Sequence, residues 1–293
     1  MKKSRSVALP PVVSILLAVF SVQGGAAIAK GLFPFIGAAA TAAVRIGLSA
    51  LILLAVFRPP VHRFTAAQWR AVVPYGMSIG VMNLIFYQAL VRIPLGLAVT
   101  LEFVGPLGVA IVSSRRALDG VWVVFAAIGI ALITPWHAGS AAGSIDPLGV
   151  AIALATGGCW AAYIVLGGRV SRVLTGSVAV ATGMSIAAMT VLPFALAGGQ
   201  LGSFVPHRYA AGVALAVLSS ALPFTLEMHA LGALPGRTFS ILMSLEPAVA
   251  ALCGLVLLGE HLTTSQWLAV GLVIVASVGA TVTAREVPVN VEV

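Results

Sequence analysis

The chain has 293 residues, of which 60% are apolar and only 8% charged, with a mean hydropathy of +1.10. Soluble domains carry about a quarter charged residues, and 16 Lys+Arg with 8 Asp+Glu cannot coat a body of this size, so an ordinary soluble enzyme is excluded. Disorder is excluded by the same apolar content, and the net charge of +8, which in a soluble protein would suggest nucleic acid, reads here as cationic loops held on one side of a bilayer.

The apolar runs are long and do not alternate, which predicts membrane helices rather than a barrel. A helix needs about 20 residues to cross a hydrocarbon core of about 30 Å. The first predicted span, 11–30, follows Met1-Lys2-Lys3-Ser4-Arg5 and ends near Ala27-Ile28-Ala29. That pattern resembles a signal peptide, but an uncleaved first helix is expected, since its loss would break the symmetry described below. Span 37–57 carries Arg45, and span 70–91 carries Gly76-x-x-x-Gly80, a close-packing spacing, with Asn83 and Tyr87 on one face. Span 94–113 places Glu102 and Pro106 one turn apart, and span 120–136, the shortest, opens near Trp122. In the second half, span 147–167 holds Trp160 and Tyr163 three residues apart, followed by span 176–197. Span 209–231 sets Pro223 one turn before Glu227, span 237–258 holds the adjacent Glu246 and Pro247, and span 264–283 opens near Trp267.

Lysine and arginine set the orientation. With the N-terminus inside, the inner segments hold Lys2, Lys3, Arg5, Arg58, Arg63, Arg70, Arg115, Arg116, Arg169, Arg172, Arg237 and Arg285, twelve of the 16, against Lys30, Arg92 and Arg208 outside. The two halves also look alike. A shift of 141 residues lays Pro94 on Pro235, Leu101 on Leu242, Pro106 on Pro247 and Asp119 on Glu260. Five spans is an odd number, so the second half enters the bilayer upside down. The expected fold is therefore an all-α membrane protein of ten transmembrane helices in two inverted five-helix repeats, 1–142 and 143–293. Both termini are expected in the cytoplasm. Inverted repeats place a binding site near the midplane, where the halves meet and rock.

A charge at the bilayer centre costs at least about 2.5–3.5 kcal/mol. Arg45, Glu102, Glu227 and Glu246 accept that cost, while Lys30 at the margin of its span can snorkel. Three acids cannot all pair with one base, so at least one carboxyl holds a proton or faces a cavity. Pro106, Pro223 and Pro247 lie within a turn of these acids and would kink their helices, freeing carbonyls for a polar hollow, which makes them candidate hinges. No Gly-x-x-x-x-Gly-Lys-[Ser/Thr] loop, His-Glu-x-x-His or cysteine-rich ligand set occurs, so neither a built-in ATPase nor a metal site is expected. Cys159 and Cys253 read as packing residues. Ser219, Ser220 and His229 could be imagined as a membrane-embedded nucleophile and base, but no supporting motif surrounds them.

Several run-together stretches are more specific. They are Val22-Gln23-Gly24-Gly25-Ala26, Glu102-Phe103-x-Gly105-Pro106-Leu107, Ser113-Ser114-Arg115-Arg116, Leu222-Pro223-x-x-Leu226-Glu227-Met228, Leu234-Pro235-x-Arg237-Thr238-Phe239 and Met243-Ser244-x-Glu246-Pro247-Ala248. With these the chain resembles the EamA family of the drug/metabolite transporter superfamily over about residues 12–284. The resemblance implies export of small amino acids of the threonine and homoserine type across the bacterial inner membrane, driven by the proton motive force with no cofactor. On that reading Arg45 (or Lys30) takes the substrate carboxylate and Glu102 its ammonium. Asn83, Tyr87, Trp160 and Tyr163 line the substrate site, and Glu227 or Glu246 carries the proton. The expected partners are the amino-acid substrate and membrane lipid, not nucleic acid, and a homodimer is compatible with the sequence. Export of another solute, such as an aromatic compound, purine or drug, is the alternative.

Overall fold

The computed structural model describes residues 10–114, 119–133, 145–199, 212–231, 234 and 236–283. Among them the regular elements are all helical. They are α1 (Pro11–Phe57), α2 (Ala66–Leu90), α3 (Leu95–Glu102), α4 (Val104–Ser114), α5 (Asp119–Ile133), α6 (Pro147–Val170) and α7 (Gly176–Ala197), then α8 (Leu222–Leu231), α9 (Gly236–Met243), α10 (Glu246–Leu258) and α11 (Thr264–Thr283). Six helical stretches are long and apolar enough to cross a membrane, and a shorter apolar one spans Gly120–Ile133. The chain is thus a multi-pass helical membrane protein. Residues 134–136 and 209–211 of two predicted spans, with Lys2, Lys3, Arg5, Arg115, Arg116, Arg208 and Arg285, lie outside the described residues.

The expected spans 11–30 and 37–57 form one helical run, α1, of 47 residues. Kept straight it would measure about 70 Å, more than twice a hydrocarbon core. It is broken at Gly37, whose φ of 73° and ψ of 160° are open essentially only to glycine, with Pro34 just before it. No polar turn residues separate the two stretches, so the chain bends through a glycine instead of unwinding into a loop.

Two other predicted spans are interrupted. Phe103 separates α3 from α4, and Ser244-Leu245 separates α9 from α10. A shift of 141 residues lays Phe103 on Ser244, and a proline follows three residues after each, Pro106 and Pro247. Neither proline can donate to the carbonyl one turn back (Glu102 or Met243), and its ring crowds that carbonyl, so the helix cannot run on. Pro223 acts likewise toward Ser219. There the chain widens into a π turn, Val217–Ala221, before α8 begins.

Helices from the two sequence halves interleave. α2 lies along α6 and α7, α1 along α7, α8 and α10, α3 against α10, and α5 against α11. The Gly76-x-x-x-Gly80 pair brings α2 onto α7. A Cβ at Gly76 would stand 2.6 Å from the Gly183 carbonyl oxygen, and one at Gly80 2.9 Å from that of Ala187.

Polar contacts tie the two ends of the bundle. At one end Lys30 Nζ pairs with Glu260 Oε1 at 2.6 Å and donates to the Ile93 carbonyl at 2.7 Å. The Leu95 N–H donates to Glu260 Oε2 at 2.7 Å, and Arg92 pairs with Asp146 at 3.5 Å. At the other end Thr65 and Gln68 form a capping box that starts α2, and Gln68 Nε2 donates to the Val173 carbonyl at 3.1 Å. Trp122 Nε1 donates to Thr283 Oγ1 at 3.0 Å, pinning α5 to α11.

Candidate substrate cavity

The broken helices and the π turn converge on one cavity of about 400 Å³ inside the bundle. Its wall includes Arg45, Asn83, Glu102, Trp160, Tyr163, Pro223, Glu227 and Glu246, eight of the residues singled out from sequence. A larger groove of about 570 Å³ runs between α1 and α7, but apart from Ser185 it is lined by Ala, Val, Gly, Leu and Met. It offers no charge to a polar solute, so the smaller cavity holds the chemistry.

On one side stands Arg45 of α1. Its guanidinium donates to Asn83 Oδ1 of α2, and Asn83 Nδ2 donates in turn to the Ile79 carbonyl at 2.8 Å. Tyr87 lies one turn beyond Asn83 and stands behind the guanidinium, its ring centroid 5.3 Å from Arg45 Cζ, a cation–π distance. Fully buried against Phe33 and Phe86, it supports Arg45 from outside the cavity wall. Its hydroxyl has no hydrogen-bond partner among the described residues.

Three carboxyls share the same wall. Glu102 is the last residue of α3, at the Phe103 break, and Glu246 opens α10 at the other break. Glu227 lies on α8 after the π turn. Glu246 is within electrostatic reach of both Glu102 and Glu227, and Arg45 within reach of Glu102. Among the described residues the ion pairs are Lys30–Glu260 and Arg92–Asp146, so Arg45 is not locked to any of these acids. Lys30, the alternative to Arg45 in the sequence reading, is spent on Glu260 at one end of the bundle.

Aromatic rings make up much of the remaining wall. Tyr163 stacks on Tyr75 with centroids 5.3 Å apart, and Trp160 meets Phe103 edge-on at 5.5 Å. Pro247 is buried directly behind Glu246, and Pro106 sits half-buried after its break; neither is on the cavity wall. Ser219 is on the wall, but its hydroxyl donates to the Leu215 carbonyl, while the side chains of Ser220 and His229 lie outside the described residues. Both cysteines are free.

Sequence reasoning missed two wall residues with polar groups. Gln23 of α1 donates through Nε2 to Glu246 Oε1 at 3.0 Å, and Tyr75 of α2 lies under Tyr163. Gln23 is the only amide in the first apolar run, a signal that could have found it.

Such a cavity, with groups of both charge signs on its wall and apolar helices around it, suits a solute carrier, and similarity to known proteins points the same way. The EamA-like transporter family matches residues 147–282. The threonine/homoserine exporter RhtA of Escherichia coli strain K12 is 47% identical over 280 residues, covering 94% of this chain and 92% of its own. The protein of the same name from Salmonella typhimurium strain LT2 is 45% identical, covering 95% and 93%. The chain belongs to the EamA-like transporter family. A solved structure described only as the crystal structure of a protein shares the fold at a TM-score of 0.59 and 17% identity, covering 93% of this chain and 99% of its own. Its EamA-like relatives are named exporters, and this chain is a membrane transporter rather than an enzyme.

Proposed function

We propose that this chain is a proton-coupled exporter of small neutral amino acids, of the threonine and homoserine type, in the bacterial inner membrane. It works by alternating access between two inverted five-helix halves, with both termini cytoplasmic. The observation that carries the reading is the combination in one cavity of a guanidinium braced by Asn83 and Tyr87 with carboxyls that, among the described residues, have no cation locked to them. A zwitterion needs groups of both signs. Arg45 takes its carboxylate, and Glu102, on the broken helix beside Arg45, takes its ammonium. Asn83, Trp160 and Tyr163 stand where they can meet the side-chain hydroxyl and methyl. The names carried by relatives at 45–47% identity support the same solute class.

Three acids and one base on one buried cavity wall, counted among the described residues, disfavour a state in which all are charged, because like charges at short range repel. A carboxyl that takes a proton on one side and surrenders it on the other couples the cycle to the proton gradient. Pro106, Pro223 and Pro247 mark the hinges, since at these places the backbone has already left the straight helix.

The test is exchange and accumulation of labelled threonine and homoserine in proteoliposomes under an imposed pH step. Saturable exchange with accumulation that follows the step is expected; an inert protein would refute the assignment. A second reading rests on size. About 400 Å³ lies in the range of sites for drug-sized ligands, about 300–1,000 Å³, and the rings of Tyr75, Trp160, Tyr163 and Phe239 could hold a flat solute. Competition by a panel of aromatic amino acids and purines separates the two: if these outcompete threonine, the second reading stands.

A further inference from the structure

Gln23 and Glu246 join α1 to the start of α10 across the wall of the cavity. Both side chains are more than nine-tenths buried, at 3% and 7% exposure. The Gln23 amide donates to Oε1 at 3.0 Å, while Oε2 of the same carboxyl is buried with no hydrogen-bond partner among the described residues. Gln23 itself is firmly seated. Ser21, half a turn away, donates to the Leu218 carbonyl in the π turn at 2.6 Å, and a Cβ at Gly25 would meet Ser219 Cβ at 3.1 Å. The stretch of α1 that carries the amide is therefore held against the π turn at α8's entry, while the amide itself reaches α10.

We propose that Gln23 is the positioning residue of Glu246, and that Glu246, through Oε2, is the carboxyl that binds the transported proton. This assignment rests on the proton-coupled reading above and sharpens it, separating Glu246 from Glu102 and Glu227. The chemistry of the partner decides. A lysine or arginine at position 23 would hold Glu246 permanently ionised as an ion pair. A neutral amide serves both forms: its N–H₂ donates to Oε1 whether Oε2 is ionised or carries the proton, and donates more strongly to the carboxylate. The proton arrives at Oε2 and leaves from it, no other bond is made or broken, and Oε1 stays tethered throughout. Among the described residues, the charged and titratable groups that share the cavity with Glu246 are Glu102 on α3, Glu227 on α8 and Arg45 on α1, with Tyr75 and Tyr163 on α2 and α6; α11 contributes none. The two acids oppose a lasting negative charge on Glu246, which favours exchange over a fixed state.

The test uses the full chain in proteoliposomes and compares two rates for labelled threonine: exchange without a pH difference, and accumulation driven by a pH step. In Gln23→Lys and in Glu246→Gln the ratio of driven accumulation to exchange should fall about tenfold or more, the size of effect an adjacent opposite charge has on proton affinity. A merely structural role would lower both rates together and leave the ratio unchanged, which would overturn the assignment. Gln23→Leu supplies the answer if the lysine variant does not fold. It removes one hydrogen bond to the carboxylate, so the midpoint of the pH profile of transport should move up by about one unit; an unmoved midpoint overturns it. If the unsubstituted protein exchanges threonine but ignores the pH step, the coupled reading falls and this assignment with it. If it responds and Gln23→Lys responds equally, only the assignment falls.

Discussion

Arg45 is the one cation on the cavity wall among the described residues, and its surroundings determine what a substitution there does. The guanidinium is planar. One edge is used by Asn83, its face lies toward Tyr87, and the remaining N–H groups can form a fork for a carboxylate. Lysine keeps the charge but has no fork and no flat face. Arg45→Lys should therefore raise KM for threonine exchange about tenfold, worth about 1.4 kcal/mol, with a smaller change in kcat; an unchanged KM would remove Arg45 from substrate binding. At this scale the sequence was informative where a residue is costly. Arg45, Glu102, Glu227 and Glu246 stand out because a charge in an apolar run must have a reason to be there. Gln23 and Tyr75 do not, because an amide or a phenol inside a helix bundle has many neutral uses. Lys30 was ambiguous for a different reason. Its partner Glu260 comes from the other end of the chain, and no local pattern announces that pairing.

At the scale of elements, Lys30 within α1, Leu95 at the start of α3, and Ile93 and Glu260 in the connections beside them form a latch. Glu260 accepts from the backbone at the start of α3 with one oxygen and pairs with Lys30 of α1 with the other, so one side chain ties α1, α3 and the turn after α10. This end is fastened in the structure, and on the proposed alternating access opening the cavity toward it would require the latch to break. The pair is partly shielded, with side-chain exposures of 20% and 15%, and its worth is about 1 kcal/mol, near the upper limit for exposed pairs. Glu260→Gln keeps an acceptor for Leu95 N–H and removes the charge. With Cys159 and Cys253 replaced by alanine and a cysteine placed at Val22 on the cavity wall, a membrane-impermeant maleimide added from the latch side should react about fivefold faster in Glu260→Gln, the factor that 1 kcal/mol gives. An unchanged rate would mean that the latch does not limit opening. Packing between elements makes a separate prediction. Gly76→Leu drives a side chain into the Gly183 carbonyl and Ile186, and overpacking of this kind costs about 1–3 kcal/mol. The variant should melt at a lower temperature in detergent, whereas the same change at Gly24, where a Cβ meets nothing within 4 Å, should not.

For the whole molecule, hydrophobic run length made the membrane helices legible, since about 20 apolar residues in a row have few other uses. It could not show that α1 continues through Gly37, because helical and broken backbone read alike until φ is known. Nor could it show where helices break inside the bilayer, although the prolines at 106 and 247 pointed to the right turns. The equivalent breaks at Phe103 and Ser244 give a physical reason to regard the halves as counterparts, and the proposed transport cycle would move charge in a calculable way. Exchange of one proton for one zwitterion, as proposed, would displace one net charge per cycle. A potential of 100 mV then supplies about 2.3 kcal/mol, equivalent to about a fiftyfold concentration ratio. On the proposed coupling, threonine entering the lumen of a proteoliposome would be matched by a proton leaving it, so a lumen-positive potential should drive threonine inward even with equal pH on both sides. A lumen-negative potential should oppose it. If potassium diffusion potentials of either sign leave the threonine distribution unchanged while a pH step still moves it, the exchange is electroneutral. The substrate would then cross with a compensating charge, and Arg45 and Glu102 would be binding an ion rather than a zwitterion.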